Sequence, residues 1–151
     1  EIRQGLALAQ WPGRMQQASW RNLPLLIDCA HNPHAAESLS KDRKNWELEG
    51  LGVHWIIGVQ RQKDAPLMLR HLIEPQDFAW IVPVGEKPSW NCSQLSKACP
   101  ELTKQLRQEE DVEMVFCKLL FQNSWPTPPP VVVGSIYLVG ELLSKKIINT
   151  E

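Results

Sequence analysis

Four short, uninterrupted apolar runs limit what this chain can fold into. They are "LPLLIDC" (Leu23–Cys29), "VHWIIGV" (Val53–Val59), "DFAWIVPV" (Asp77–Val84) and "VVVGS" (Val131–Ser135). None alternates apolar with polar residues, so each reads as a strand buried on both faces. Helix signals follow the runs. After Asp28, Asn32 is a good N-cap and Pro33 suits the first helical position. Ala36, Leu39, Arg43 and Trp46 then recur near helical spacing until Gly50 closes the segment. Asp64 and Pro66 open a second helix in "KDAPLMLRHLI", and a third is expected over Cys92–Leu106. A weaker strand is expected near Val112–Phe116, running into a short helical piece through Phe121. "WPTPPP" (Trp125–Pro130) reads as an extended connector that delivers the last strand into a closing helix, "IYLVGELLSKKII". Alternation of this kind predicts an α/β fold: a mostly parallel sheet with helices on both faces.

In such sheets ligands bind outside the carboxyl ends of the strands. Three segments fall there: Asp28–Asn32, Gln60–Asp64 and Gly134–Ser135. His31 and His34 straddle Pro33, and a zinc site would need further ligands, so a metal is the weaker reading. A nucleotide or other anion suits the helix openings better. Asp28 could accept from a ribose or an amine, and His31 could donate to a phosphate or carboxylate. The plainer alternative, that Asp28 and Asn32 only satisfy turn and cap groups, has about even standing. Arg61 and Lys63 could flank an anion or form an exposed basic loop. Ser135 could offer a hydroxyl or simply cap the last helix, and Arg14 in "WPGR" could clamp a phosphate or be a solvated turn residue. Glu109, Glu110 and Asp111 read as a solvated charge run.

Composition narrows the classes. A formal net charge of -1 gives no strong field for nucleic acid or an anionic membrane, and no apolar run approaches bilayer length. The four cysteines (Cys29, Cys92, Cys99, Cys117) form no C-x-x-C pair and read as reduced thiols, mostly buried, in a cytoplasmic protein. Of the seven tryptophans, Trp46, Trp55 and Trp80 sit in periodic segments and read as packing. There is no Walker A loop, nucleophile elbow or dinucleotide fingerprint. The start "EIRQGLALAQW" lacks signal-peptide order and an initiating methionine, which suggests a piece of something longer.

Taken in order, "WPGRMQ", "LLIDCAHNPHAAESL", "GVQRQKDAPLML" and "VVVGSIYLVGELL" resemble the carboxy-terminal domain of the folylpolyglutamate synthase/dihydrofolate synthase family, within the Mur ligase superfamily. The resemblance runs from about Trp11 to the end, and D-x-A-H-N-P and G-S-x-Y are its specific parts. It implies a Rossmann-like Mur ligase C-terminal fold over 23–151, with 1–22 a lead-in from the preceding domain packed on the sheet. It also implies an ATP-dependent ligase that adds L-glutamate to folate or dihydropteroate through an acyl phosphate. By resemblance, Arg14 reaches the ATP phosphates across a domain cleft and Asp28 holds the ribose. His31, the catalytic candidate, lies near the phosphates and the incoming glutamate. Asn32 belongs to the nucleotide pocket, and Lys63 and Ser135 belong to the substrate and phosphate pocket. The resemblance places the P-loop and the Mg2+ ligands in an amino-terminal ATPase domain, whose motifs do not occur in these residues. The implied partners are therefore that domain, ATP, glutamate and the pterin substrate, with no nucleic acid and no membrane, and the 151 residues alone are expected not to turn over. One departure is Cys29 where the family has glycine. The rival readings are a stand-alone binding domain and a Mur-type peptidoglycan ligase, whose usual aspartate-lysine motif is replaced here by His31.

Overall fold

The computed structural model describes residues 15–43, 52–122 and 124–150. Seven strands form one sheet: β1 (Gln16–Trp20), β2 (Leu23–Asp28), β3 (His54–Ile57), β4 (Phe78–Ile81), β5 (Leu106–Gln108), β6 (Val131–Val133) and β7 (Asn149–Thr150). Their order is β5-β4-β3-β6-β2-β1-β7. The five strands from β5 to β2 are parallel, whereas β1 pairs antiparallel with both β2 and β7. The α/β sheet expected from the apolar runs is present. β6 inserts between β2 and β3, although 102 residues separate Asp28 from Val131 in the chain.

Alternate residues of the strands serve two cores. Trp55, Ile57, Ala79, Ile81, Val131 and Val133 pack under α1 (Pro33–Arg43), α2 (Ala65–Leu72) and α3 (Cys92–Ala98). Leu25, Ile27, Ile56, Trp80 and Val132 face α4 (Val112–Gln122) and α5 (Ile136–Ser144). Both sets are apolar, which is why the strands read as continuous runs. Burying each such side chain contributes roughly 1.5–3 kcal/mol. Trp55 and Trp80 are core residues as expected, while Trp46 lies outside the described residues. No described helix is long and apolar enough to cross a membrane.

Several local expectations are corrected. Gln16–Trp20, within the stretch read as a lead-in, is a strand with five register pairs to β2. The helix expected over Cys92–Leu106 ends at Ala98, because Pro100 cannot continue it. A 3-10 turn (Pro100–Gln105) and β5 follow. The weak strand placed near Val112–Phe116 is instead helix α4. Asp111 accepts from Met114 N at 2.8 Å to start it, and Val112, Val115, Phe116 and Leu119 form its buried stripe. The closing helix stops at Ser144, and the chain turns through Lys146 at φ 57° before entering β7. Glu109 is not solvated: it is 8% exposed and ion-paired with Lys118, whereas Glu110 and Asp111 are exposed. All four cysteines are free, but only Cys99 is buried and the other three are half-buried.

The amino ends of β3 and β4 are tied by one carboxylate. Asp77 accepts from Arg43 through both terminal guanidinium nitrogens, Nη2 at 2.7 Å. It also accepts from Val53 N (2.9 Å), Trp55 Nε1 (3.0 Å) and Glu74 N (2.9 Å). Arg43, on α1, adds a contact to Glu74 at 2.9 Å. Burial alone would raise the Asp77 pKa, but the guanidinium and the N–H donors outweigh it and hold the carboxyl below its usual range. The group therefore stabilises the fold above the unfolded-state carboxylate pKa, and that contribution is lost as pH falls through the folded one. Removing one partner of a buried ion pair strands the other charge, so Asp77→Asn is predicted to cost about 3–5 kcal/mol in urea denaturation.

His54 lies beside this knot, stacked on Phe78 with centroids 4.9 Å apart and accepting from Trp80 Nε1 at 3.2 Å through Nδ1. Burial pushes its pKa below 6.5, partly offset by Asp77 and helped by Arg107. The neutral ring is thus favoured in the fold, and its contribution is complete above the unfolded value and fades as pH falls below it. Between about pH 7 and about pH 5 the wild type is predicted to lose more unfolding free energy than His54→Gln, read from paired denaturation curves.

Candidate functional site

Parallel register decides which residues meet at the carboxyl edge. Asp28 and Ile57 are both register partners of Val133, so the segments after β2, β6 and β3 emerge side by side. Neighbouring strands lie roughly 5 Å apart. The three segments singled out in the sequence therefore form one surface, and α1, α5 and α2 each begin there. Helix openings point unsatisfied N–H groups and the positive dipole end at whatever occupies that surface.

Two glycines set the spacing. Gly58 N donates to Val133 O at 3.1 Å. Gly134 has φ 121°, and a Cβ there would stand 2.4 Å from Gly58 O. Neither the dihedral nor the gap admits a side chain. The β3 and β6 loops consequently leave the sheet in backbone contact.

Asp28 is buried, with Oδ1 accepting from Ala30 N at 2.8 Å and Oδ2 from Met15 N at 3.1 Å. These bonds fix the β2 exit and tie it to the start of β1. His31 is exposed, and its Nδ1 lies 2.9 Å from Cys29 O. A carbonyl only accepts, so Nδ1 carries the hydrogen and Nε2 is the basic nitrogen. Asn32 caps α1, its Oδ1 accepting from Ala35 N at 2.8 Å. Ser135 is 2% exposed and caps α5, its hydroxyl accepting from Tyr137 N at 3.1 Å. Lys63 is half-buried, and Asp64 behind it caps α2 by accepting from Leu67 N at 3.2 Å. Asp28, His31, Asn32, Lys63 and Ser135 thus share one edge, while Arg14 lies outside the described residues.

Cys29, the departure from the family glycine, is not among the described residues with positive φ and carries no left-handed strain. Burial and the neighbouring Asp28 push its thiol pKa up, which disfavours the reactive thiolate. Among the described residues no three His, Cys, Asp or Glu side chains group closely enough to hold a metal ion.

Sequence reasoning missed the support of the β3–α2 loop. A segment after β4 folds back beneath it: Arg61 N donates to Pro88 O (2.9 Å), and Trp90 N donates to Val59 O (3.0 Å). Trp90 Nε1 donates to Lys63 O at 2.9 Å. Only the indole itself could have hinted at this, because its partners lie 27 to 31 residues away.

Residues 12–145 match the dihydrofolate synthetase C-terminal domain family. The chain belongs to that family. It is 32% identical over 142 residues to the folylpolyglutamate synthase of Lacticaseibacillus casei, covering 92% of this chain and 30% of that protein. It is 28% identical over 162 residues to the dihydrofolate synthetase of Saccharomyces cerevisiae, covering 95% of this chain and 37% of that one. Its fold is similar to the bifunctional folylpolyglutamate synthase/dihydrofolate synthase of Yersinia pestis complexed with AMPPNP and a Mn ion. That match has a TM-score of 0.69 at 30% identity, over 96% of this chain and 33% of that one. The chain therefore spans about a third of the length of these relatives.

Because the Gly58–Gly134 contact holds the carboxyl edge together, a methyl group at position 134 must push the two loops apart. Gly134→Ala is predicted to cost more than about 1 kcal/mol, the usual scale for a side chain forced into positive φ. A thermal melt against wild type checks this.

Proposed function

We propose that this chain is the carboxy-terminal half of the active site of an ATP-dependent amide ligase that adds L-glutamate to folate or dihydropteroate. The observation that carries the reading is the convergence of the β2, β3 and β6 exits, with three helix openings, around the Gly58–Gly134 contact. Every ligand of such a reaction is anionic: ATP, the acyl phosphate, glutamate and released phosphate. An edge rich in helix N-termini and carrying His31 and Lys63 suits them.

In the first step an oxygen of the acceptor carboxylate attacks the γ-phosphorus of ATP. The O–P bond forms and ADP leaves. The amine of glutamate then attacks the acyl carbon, a C–N bond forms, the C–O bond to phosphate breaks, and the nitrogen gives up a proton. Asp28 is assigned to the ribose, with Asn32 beside it, and Arg14 to the ATP phosphates. Lys63 and Ser135 are assigned to the phosphate and glutamate groups. His31 is assigned the proton-handling role, supported by the contact of its Nδ1–H with Cys29 O, which leaves Nε2 as the nitrogen without a hydrogen in the neutral ring. Mg2+ would accompany the nucleotide and screen its phosphates. Its ligands, and the completion of the cleft, are assigned by this proposal mainly to an amino-terminal ATPase domain. The proposed setting of the reaction is the cytoplasm.

The test is made in the ligase that contains this chain. His31→Ala is predicted to lower turnover by about 100-fold, the scale of a lost general acid–base group, with an unchanged melting temperature. Near-normal turnover would remove His31 from the site. Asp28→Ala is predicted to act mainly by raising the Michaelis constant for ATP; an unchanged constant would leave Asp28 a turn residue only.

A further inference from the structure

The β3–α2 loop carries a second cation that the mechanism above does not use. The guanidinium of Arg61 lies over the ring of Trp90, 3.8 Å from its centroid. Its backbone N–H is fixed by Pro88 O at 2.9 Å. Among the described residues Arg61 has no ion-pair partner. Stacking occupies a face of the guanidinium and leaves the in-plane N–H donors, whose fork matches a carboxylate. Trp90 also donates to Lys63 O at 2.9 Å, so one indole positions the loop of both cations.

The placement is suited to substrate. Arg61 lies three residues beyond Gly58, which limits its Cα to about 11 Å from that glycine and its contact with Gly134. Ser89 and Asn91, on either side of Trp90, help to line a cavity of about 320 Å³ that also touches Gln108 and Glu109 at the carboxyl end of β5. Glu110 and Lys87 complete its charged lining, and neither Arg61 nor Lys63 lines it, so it is open space beside their indole support and not the carboxylate site itself.

We propose that Arg61, oriented by Trp90, binds a substrate carboxylate next to the Lys63 position. The inference rests on the ligase reading and adds a specificity residue to it. Two sources could supply the carboxylate: free L-glutamate, or a glutamate residue already present on the acceptor. Trp90 acts through Arg61 and Lys63 and is a positioning residue.

The experiment measures phosphate release by the whole ligase with L-glutamate varied, then with dihydropteroate (no glutamate) and dihydrofolate (one glutamate) varied as acceptors. Arg61→Gln is expected to raise one of these Michaelis constants about tenfold, the scale of one charge-assisted contact, with a smaller change in kcat. A rise for L-glutamate assigns Arg61 to the incoming amino acid. A rise for dihydrofolate but not dihydropteroate assigns it to the glutamate already attached. Arg61→Lys should recover part of the loss, because it restores charge but not the planar fork. Trp90→Phe, which keeps a ring but loses the donor to Lys63 O, should shift the same constant in the same direction by less. Michaelis constants for Arg61→Gln that all stay within twofold of an active wild type overturn the assignment and leave the ligase reading standing. A wild type without glutamate-dependent phosphate release overturns the ligase reading, and the assignment falls with it.

Discussion

The carboxyl edge of this sheet depends on a backbone contact too close for any side chain. Gly134 passes Gly58 with so little clearance that a Cβ would stand 2.4 Å from the carbonyl oxygen. That contact is possible because β6, three valines buried on both faces, is clamped between β2 and β3. Long-range insertion of β6 brings the exits of β2 and β3 to the same level as Gly134. The helix caps then set local geometry: Asn32 opens α1, Asp64 opens α2 and Ser135 opens α5. Cys29 O holds the His31 ring, and Trp90 Nε1 holds the Lys63 carbonyl.

The two ends of the sheet are chemically different. At the amino end, Asp77 and Arg43 spend their hydrogen-bonding capacity on each other and on the backbone around them. That arrangement ties α1 to the start of β3 and β4 and leaves little for a ligand. At the carboxyl end, polar side chains stabilise the turns while the basic Nε2 of His31 and the donors of Arg61 remain available. The structural roles of Asp28 and Asn32 are therefore compatible with the roles proposed for them. A residue that fixes a strand exit also fixes whatever the neighbouring residues present to substrate.

Much of the parallel core was legible because burial on both faces leaves a plain mark in sequence. β1 was not, because in "QQASW" only Ala18 and Trp20 are buried, while Gln17 is exposed and Gln16 and Ser19 are half-buried beside a narrow antiparallel edge. β5 is three residues long with two of them exposed, too short to carry a pattern. α4 shows the opposite error: its 3–4 spacing was present, but the β-branched start "VEMV" favoured a strand. At the site, the helix-start residues were readable from Asn-Pro, Lys-Asp-Ala-Pro and Gly-Ser. Trp90, the Arg61 stack and the Asp77 knot were not, since their partners, Glu74 aside, lie 22 to 34 residues away in sequence.

The central claim is that three separate loops form one binding surface, and hydrogen–deuterium exchange tests it most directly. The full-length protein containing this chain would be compared free and with AMPPNP, dihydropteroate and L-glutamate added. The account predicts concerted protection of residues 29–34, 58–64 and 134–137, with the Asp77 region unchanged. Protection of one loop alone, or of none, would contradict it.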